Sequence, residues 1–239
     1  MPSSPRRFVA LVRWALMAVA SVLAVVAPEG ARGQLVDRGT FVLYAGGEEV
    51  GTEEFTILRQ GTGDAQLTLA TATLTLQDGR IVKTNLRLVG TNMVLNEYEV
   101  SVSVSGSDTL AVRVIRDGNR LRTRSVGPWG EEAWEYPARP STVVFDDGVA
   151  HHYFLLGALL EAYGAEARIH VVAPLARMEA PPAQAEFGSE TIDVGGESVE
   201  TTRITLSSEG ESRTAWFDGS GRLVRVALAN RRFEAIRLP

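Results

Sequence analysis

The fold is decided by the stretch Glu97-Tyr98-Glu99-Val100-Ser101-Val102-Ser103-Val104, in which polar and apolar residues alternate. Successive side chains of a β-strand point to opposite faces of a sheet, so this period of two predicts a strand with one buried and one solvated face. The turn residues Gly106-Ser107-Asp108 follow, and Leu110, Val112 and Val114 then continue the pattern. The stretch therefore predicts two strands joined by a tight turn.

Similar strands extend from this hairpin in both directions along the chain. Between residues 39 and 126, alternating segments are separated by turn sequences such as Gly46-Gly47, Asp78-Gly79 and Asp117-Gly118. Short turns join antiparallel neighbours, because a parallel pair needs a long crossover. A change of parity between Leu69 and Ala70 predicts a β-bulge or a bend at that point. Further strands are predicted at residues 168–172, 187–194, 199–206, 213–218, 223–228 and 232–238.

The middle of the chain differs from the strand-rich parts. Asp146-Asp147 precedes the apolar-rich run His151–Tyr163, and Gly164 follows it, which is the order of a capped helix start and a glycine stop. Pro128–Pro140 contains two tryptophans and three prolines and is predicted as a loop or edge segment. The sequence thus predicts a mainly β protein, in which residues 34–239 form one domain. Its expected architecture is a single curved antiparallel sheet or half-barrel with one helix packed over the apolar face.

The N-terminus has the pattern of a secretory signal. Arg6, Arg7 and Arg13 supply positive charge, and an uncharged apolar run of 14 residues, Trp14 to Ala27, follows them. Ala31-Arg32-Gly33 places small residues where a signal peptidase requires them. We therefore predict that residues 1–33 form a cleaved signal peptide and that the mature chain is periplasmic. The apolar run is shorter than the roughly 20 residues of a membrane-spanning helix, so no stable span is expected after cleavage.

Composition narrows the function classes. The chain of 239 residues has a formal net charge of −5, and without residues 1–33 it would carry 20 basic and 28 acidic residues, a net charge of −8. An acidic chain argues against nucleic-acid binding, which needs clustered positive charge. The chain contains no cysteine, which excludes disulfides, a thiolate nucleophile and a cysteine-based zinc site.

Candidate catalytic or metal-binding residues are few. His151 and His152 are adjacent, so a metal site would need one of them to join His170 and a carboxylate; the simpler reading places both in the polar first turn of the helix. No Gly-x-Ser-x-Gly motif occurs, and carboxylate pairs such as Glu53-Glu54 are expected to be solvated. We therefore predict no catalytic residue, no metal and no cofactor, and expect that the protein is not an enzyme.

A row of arginines on one predicted strand has two possible interpretations. Arg120, Arg122 and Arg124 alternate with Leu121 and Thr123. They either form an anion or headgroup patch, or they are the solvated face of a strand whose charges pair with Glu97 and Glu99 across the sheet. The regular alternation favours the second reading.

Three segments carry a resemblance to a known group of proteins. These are Gly-x-Phe-x-Leu-Tyr at residues 39–44, Glu-Val-Gly-Thr-Glu at residues 49–53, and the hairpin Trp-x-Asp-x-x-Gly-Arg-Leu-x-Arg at residues 216–225. The chain resembles an uncharacterised periplasmic β-rich family, a domain of unknown function near the LolA/LolB-like lipoprotein-carrier superfamily. The resemblance implies a strongly curved half-barrel with a helix across its open mouth and an apolar cavity, which takes acyl chains in the carriers. It implies no catalytic residue.

Two function hypotheses follow from this sequence. In the first, a cavity binds a lipid or another apolar molecule. Its expected lining comprises Leu155, Leu159 and Tyr163 of the helix, and Tyr98, Val100, Val102 and Trp216 of the sheet. In the second, the interior is filled and the protein is a non-catalytic envelope scaffold, or an interaction module, that contacts an envelope protein through the aromatic segment Trp129–Tyr136.

Overall fold

The computed structural model describes residues 33–164 and 166–239. Apart from Gly33, the predicted signal peptide and its cleavage site lie outside the described residues. The first half of the described chain consists of eight strands: β1 (Gln34–Ala45), β2 (Glu48–Gln60), β3 (Leu67–Leu76), β4 (Arg80–Val89), β5 (Val94–Val104), β6 (Ser107–Asp117), β7 (Arg120–Gly127) and β8 (Gly130–Pro137). The second half contains β9 (Thr142–Val144), the helix α1 (Phe154–Tyr163), β10 (His170–Ala173), β11 (Met178–Glu179), β12 (Gln184–Val194), β13 (Glu197–Ser208), β14 (Glu211–Asp218), β15 (Leu223–Leu228) and β16 (Phe233–Arg237).

One antiparallel sheet of 13 strands contains most of these elements. Its strand order runs from β12 to β16 and then from β1 to β8. Neighbouring strands in the sheet therefore follow one another in the sequence, except for β16 and β1. Pairing of β1 with β16 joins the first described strand to the last, for example Val42 opposite Ile236. The two edge strands are β12 and β8, and the sheet is not closed into a barrel. The predicted antiparallel meander is confirmed.

A second layer covers the apolar face of this sheet. Helix α1 buries four leucines in the same hydrophobic cluster as inward-facing residues of the large sheet: Leu155, Leu156, Leu159 and Leu160. A small sheet, in the order β11-β10-β9, contributes Val143, Val144, Val171 and Val172 to that cluster. Burial of these side chains against the alternating face of the sheet is the main force that holds the two layers together. The predicted class, a large antiparallel sheet with one helix over its apolar face, is confirmed for the described residues.

Two local predictions differ from the structure, and one strand pairing was not predicted. The backbone before α1 is a 3-10 turn, His151–Tyr153, that begins at Ala150 without a side-chain cap, so neither Asp146 nor Asp147 caps the helix. Strand β3 pairs with both neighbours in unbroken register, and no bulge separates Leu69 from Ala70. Leu67 and Leu69 simply lie half-buried on the outer face. The parallel pair of β9 and β10 was not predicted, because three residues are too few to show a period.

A glycine sets the orientation of β2. The register between β1 and β2 shifts by one residue between Leu43 and Tyr44, opposite Gly51 and Glu49. Gly51 has a φ of +156°, and a Cβ there would lie 2.3 Å from the Thr75 carbonyl oxygen. A side chain cannot occupy that space, since the nearest atoms belong to the backbone of β3. After this bulge, the residues of odd number on β2, beginning with Glu53, face the covered side of the sheet.

Candidate binding groove and buried polar cluster

A groove open to solvent runs beside α1. It has a volume of about 860 Å³, within the range of small-molecule sites. Residues of β1, β2 and β12 to β15, of the turn between β4 and β5 and of the turn after β14 form one side, and α1 forms the other. Apolar side chains dominate its lining: Val36, Ile57, Met93, Phe154, Ala158, Leu160, Phe187, Ile204, Phe217 and Leu223.

Most charged side chains of the groove already have partners. Two nitrogens of Arg237 donate to the Asp37 carboxylate at 2.7 and 2.8 Å. Asp218 accepts from the Ser220 hydroxyl at 2.6 Å and from Arg222 Nε at 2.9 Å. These contacts, with the Ser220 and Arg222 amides, hold the pKa of Asp218 below its usual value despite partial burial. By contrast, the buried Nε of Arg59 has no hydrogen-bond partner among the described residues.

The residues predicted to line a ligand cavity lie elsewhere. Leu155, Leu159, Tyr98 and Val100 are buried in the packed core, and Val102 and Tyr163 are half-buried at its margin. Trp216 belongs to a separate cluster with Ile192, Val194 and Val224. None of these seven predicted lining residues borders the groove. The residues that do border it on the sheet could have been found from parity, because Ile57 and Arg59 share the inward face of β2 with Phe55.

Trp216 lies apart because successive residues of β14 face opposite sides of the sheet: Ala215 and Phe217 join the main core, whereas Trp216, opposite Arg203, faces the outer side. The register between β14 and β15 shifts between Trp216 and Phe217. Phe217 joins the main core and the groove, whereas Trp216 stacks against the Arg225 guanidinium and donates from Nε1 to Glu190 at 3.0 Å. Adjacent residues of β14 are therefore both buried, but in different clusters.

A buried carboxylate fixes the chain just before α1. Both side chains, Glu53 on β2 and His151 in the 3-10 turn, are 0% exposed. Glu53 Oε2 accepts from the Ala150 amide at 2.7 Å, and Oε1 accepts from the His151 amide at 2.9 Å. The same Oε1 lies 2.5 Å from His151 Nδ1. Glu53 thus supplies the cap that was predicted from Asp146-Asp147, and both Glu53 and His151 are buried instead of solvated.

A second buried carboxylate, Asp146, joins the large sheet to the small one. Its Oδ2 accepts from the Tyr98 hydroxyl at 2.8 Å, and its Oδ1 accepts from the Leu175 amide at 2.8 Å. Burial raises the pKa of Asp146 to about 6, although the two donors oppose this shift. Burial, together with the nearby carboxylate, also raises the pKa of Tyr98 well above 10. A protonated or an ionised Asp146 is therefore accessible close to neutral pH.

His152 lies between these two carboxylate sites without a firm partner of its own. Its ring meets the edge of Tyr98 with centroids 5.3 Å apart, and it is 4.4 Å from the ring of His151. Neither ring nitrogen makes a well-formed hydrogen bond within the described residues, although the Val144 carbonyl lies nearby. Burial and the neighbouring His151 lower the pKa of His152 well below 6.5, so the neutral ring is favoured. Within residues 33–164 and 166–239, no group of three or more His, Asp or Glu side chains is arranged to hold a metal ion.

The aromatic segment predicted as a contact surface is only partly exposed to solvent. Trp129, in the turn between β7 and β8, is 91% exposed. Trp134 is half-buried and stacks against the Arg177 guanidinium, and Tyr136 is buried. A single aromatic side chain, and not the whole of Trp129–Tyr136, is therefore presented to solvent.

The row of arginines on β7 is paired across the sheet, but with different partners from those predicted. Arg120 and Arg124 contact Glu135 and Glu131 of the neighbouring β8. Glu97 and Glu99 on β5 pair with Arg113 of β6, because β6 separates β5 from β7. Exposed pairs of this kind each contribute little to stability.

The chain is similar in structure to a known protein of uncharacterised function. No family model matches the chain, and no curated protein sequence matches it. A solved structure from Brucella abortus, described as a β-barrel-like protein of the domain of unknown function DUF1849, superposes with a TM-score of 0.46. The match has 10% sequence identity and covers 84% of this chain and 94% of that chain. Among the described residues, no helix has the length and apolar character needed to cross a bilayer.

Proposed function

We propose that this protein is a non-catalytic, exported binding protein that holds a lipid or another ligand with an apolar chain in the groove beside α1. The single observation that carries this proposal is the groove itself, which has apolar lining residues from both α1 and the sheet. Exposed apolar surface of this extent is costly in water, and it is common where a protein receives a ligand. The pattern of residues 1–33 supports a periplasmic location, and the late hairpin's resemblance to the lipoprotein carriers supports a lipid ligand.

The position of α1 explains why the groove, and not the centre of the sheet, is the better site. The leucines of α1 and the valines of β9 and β10 fill the space over the middle of the sheet. Close-packed interiors of this kind leave no room for an acyl chain. Along the groove flank of α1, Gly157 has no side chain and that of Ala158 is small, and a Cβ at Gly157 would lie 3.7 Å from Phe217. The ligand chain would lie against this flank.

We expect that Ala158→Trp blocks the groove. Ala158 lines the groove from α1, so an indole ring at this position would occupy the space of the ligand chain. Saturable binding of a fluorescent fatty-acid probe should weaken by at least about tenfold, since each tenfold corresponds to the loss of about 1.4 kcal/mol of contact energy. The measurement is a fluorescence titration of the purified mature chain.

The matched control is Ala162→Trp, one helical turn further along α1. Ala162 is exposed and does not line the groove. This variant should bind the probe with unchanged affinity. Equal binding by both tryptophan variants would contradict the proposed site, and an unmodified protein without saturable binding would contradict the proposed function.

Trp129 favours a second candidate function, contact with an envelope protein. An almost fully exposed tryptophan at a hairpin turn is unusual, and tryptophan is enriched among the residues that dominate interfaces. Trp129→Ala should abolish pull-down of a partner from the native envelope and leave the thermal midpoint unchanged, since little of this side chain is buried. Trp129→Phe, which keeps an aromatic ring, is the matched control. Retention of the partner by the alanine variant would count against this function.

A further inference from the structure

Arg59 is placed unusually for an arginine. Glu53, Phe55, Ile57 and Arg59 have the same parity on β2, so the guanidinium of Arg59 belongs to the covered face of the sheet. It also borders the groove. Its Nε is buried without a hydrogen-bond partner in the part of the chain that the structure describes. Buried polar groups are nearly always paired, and a buried guanidinium nitrogen is among the costliest to leave unpaired.

A second unpaired donor lies directly across the β2–β3 ladder. Arg59 is opposite Thr68 in the register of these strands. Thr68 also faces inward, is 1% exposed, and its hydroxyl has no hydrogen-bond partner among the described residues. Residues that are opposite each other on adjacent strands have Cβ atoms only about 5 Å apart. The two side chains are therefore neighbours on the inward face of the sheet, where Arg59 borders the groove and Thr68 lies beside it.

We propose that Arg59 and Thr68 bind the anionic head of a single-chain amphiphile, a long-chain carboxylate, whose chain lies in the groove beside α1. This inference rests on the proposed function and adds the class of ligand. A carboxylate can accept two hydrogen bonds from a guanidinium and one from a hydroxyl, which would satisfy both unpaired groups at once. Ile57, the neighbour of Arg59 on the inward face of β2, leads from this head site into the apolar lining.

The other charges of the groove do not compete for the same role. Asp37 forms an ion pair with Arg237, and Asp218 forms one with Arg222. Glu161 is exposed on α1 and can keep its carboxylate in water. Within the described residues, Arg59 is thus the groove cation without an acidic partner.

The test compares two probes that differ only in charge, dansyl-undecanoate and its methyl ester. The unmodified chain should bind the carboxylate about tenfold more tightly than the ester, since a charge-assisted pair exceeds a neutral contact by about that factor. Arg59→Gln should remove this preference and leave ester binding unchanged. Arg59→Lys should keep part of the preference, because the charge remains but the bidentate geometry is lost. Arg203→Gln, on the outer face of β13, is the matched control and should keep it fully.

Thr68→Val gives an independent variant of nearly the same shape. It should weaken carboxylate binding about threefold, which is the effect of losing one neutral hydrogen bond. If Arg59→Gln does not fold, this variant replaces it in the comparison of the two probes. Equal affinities for the two probes in the unmodified chain, or an unchanged preference in Arg59→Gln, would overturn the anionic-head site and leave the groove intact. Failure of both probes to saturate would instead overturn the proposed function.

Discussion

Glu53→Gln is expected to lower the free energy of unfolding by about 1–3 kcal/mol, the usual cost of leaving a buried hydrogen-bond donor without its acceptor. Glu53 accepts from the amides of Ala150 and His151 and lies 2.5 Å from His151 Nδ1. A glutamine side chain has one carbonyl oxygen, so its amide nitrogen would face a buried N–H. At least one donor would lose its acceptor with no water to replace it. Such a loss is large beside the roughly 5–15 kcal/mol that stabilises a typical domain.

Equilibrium unfolding in guanidinium chloride measures this effect, and Glu54→Gln is its matched control. Glu54 is the next residue of β2 but points to the exposed face, so its substitution should change stability by no more than about 0.5 kcal/mol. A variant at Glu53 that retains stability to within 1 kcal/mol would show that another group can cap the segment before α1.

The sheet could be predicted from the sequence because its signal is local. A segment such as Val100-Ser101-Val102 shows its buried and solvated faces in its own alternation, and Asp117-Gly118 marks a tight turn without reference to the rest of the chain. The pairing of β1 with β16 could not be predicted in this way. These strands lie about 200 positions apart in the sequence, as the ion pair between Asp37 and Arg237 shows.

The candidate site was harder to predict, because it depends on which side of α1 is covered. Leu155 and Leu159 were expected to face a ligand, but they are buried in the packed core to which the valines of the small sheet also belong. That sheet requires the parallel pairing of β9 with β10, which no local pattern indicates. The role of Glu53 depends on contacts with residues 97 and 98 positions further along the chain. Its parity with Phe55 did place it on the buried face, and this signal could have identified it.

Asp146→Asn is expected to stabilise the protein at neutral pH and to steepen its loss of stability in acid. The folded-state pKa of Asp146 is raised to about 6 from its usual value of 3.8. A raised carboxyl pKa contributes stability that is fully present below 3.8 and is lost as the pH rises through 6. At pH 7.5 the native state therefore carries the cost of a buried carboxylate, about 3 kcal/mol. Asparagine is neutral at every pH and can keep hydrogen bonds with Leu175 and Tyr98.

His152 makes the stability of the protein change with pH in the opposite direction. Its pKa is lowered well below 6.5 in the folded state, so its contribution is fully present above pH 6.5 and is lost progressively as the pH falls. In the unmodified protein, the gain from protonating Asp146 offsets this loss between about pH 4 and pH 6. In the Asp146→Asn variant only the loss from His152 remains. The advantage of about 3 kcal/mol at pH 7.5 should therefore shrink to about zero near pH 4.

Urea unfolding of the Asp146→Asn variant at a series of pH values from 4 to 8 tests this difference directly. The neighbouring Asp147 is exposed and pairs with Arg231 on the surface, so Asp147→Asn should cost less than about 1 kcal/mol at neutral pH. If Asp146→Asn instead destabilises the protein at pH 7.5, the ionised carboxylate must be the favoured form. The hydrogen bonds from Tyr98 and Leu175 would then outweigh the cost of burying that charge.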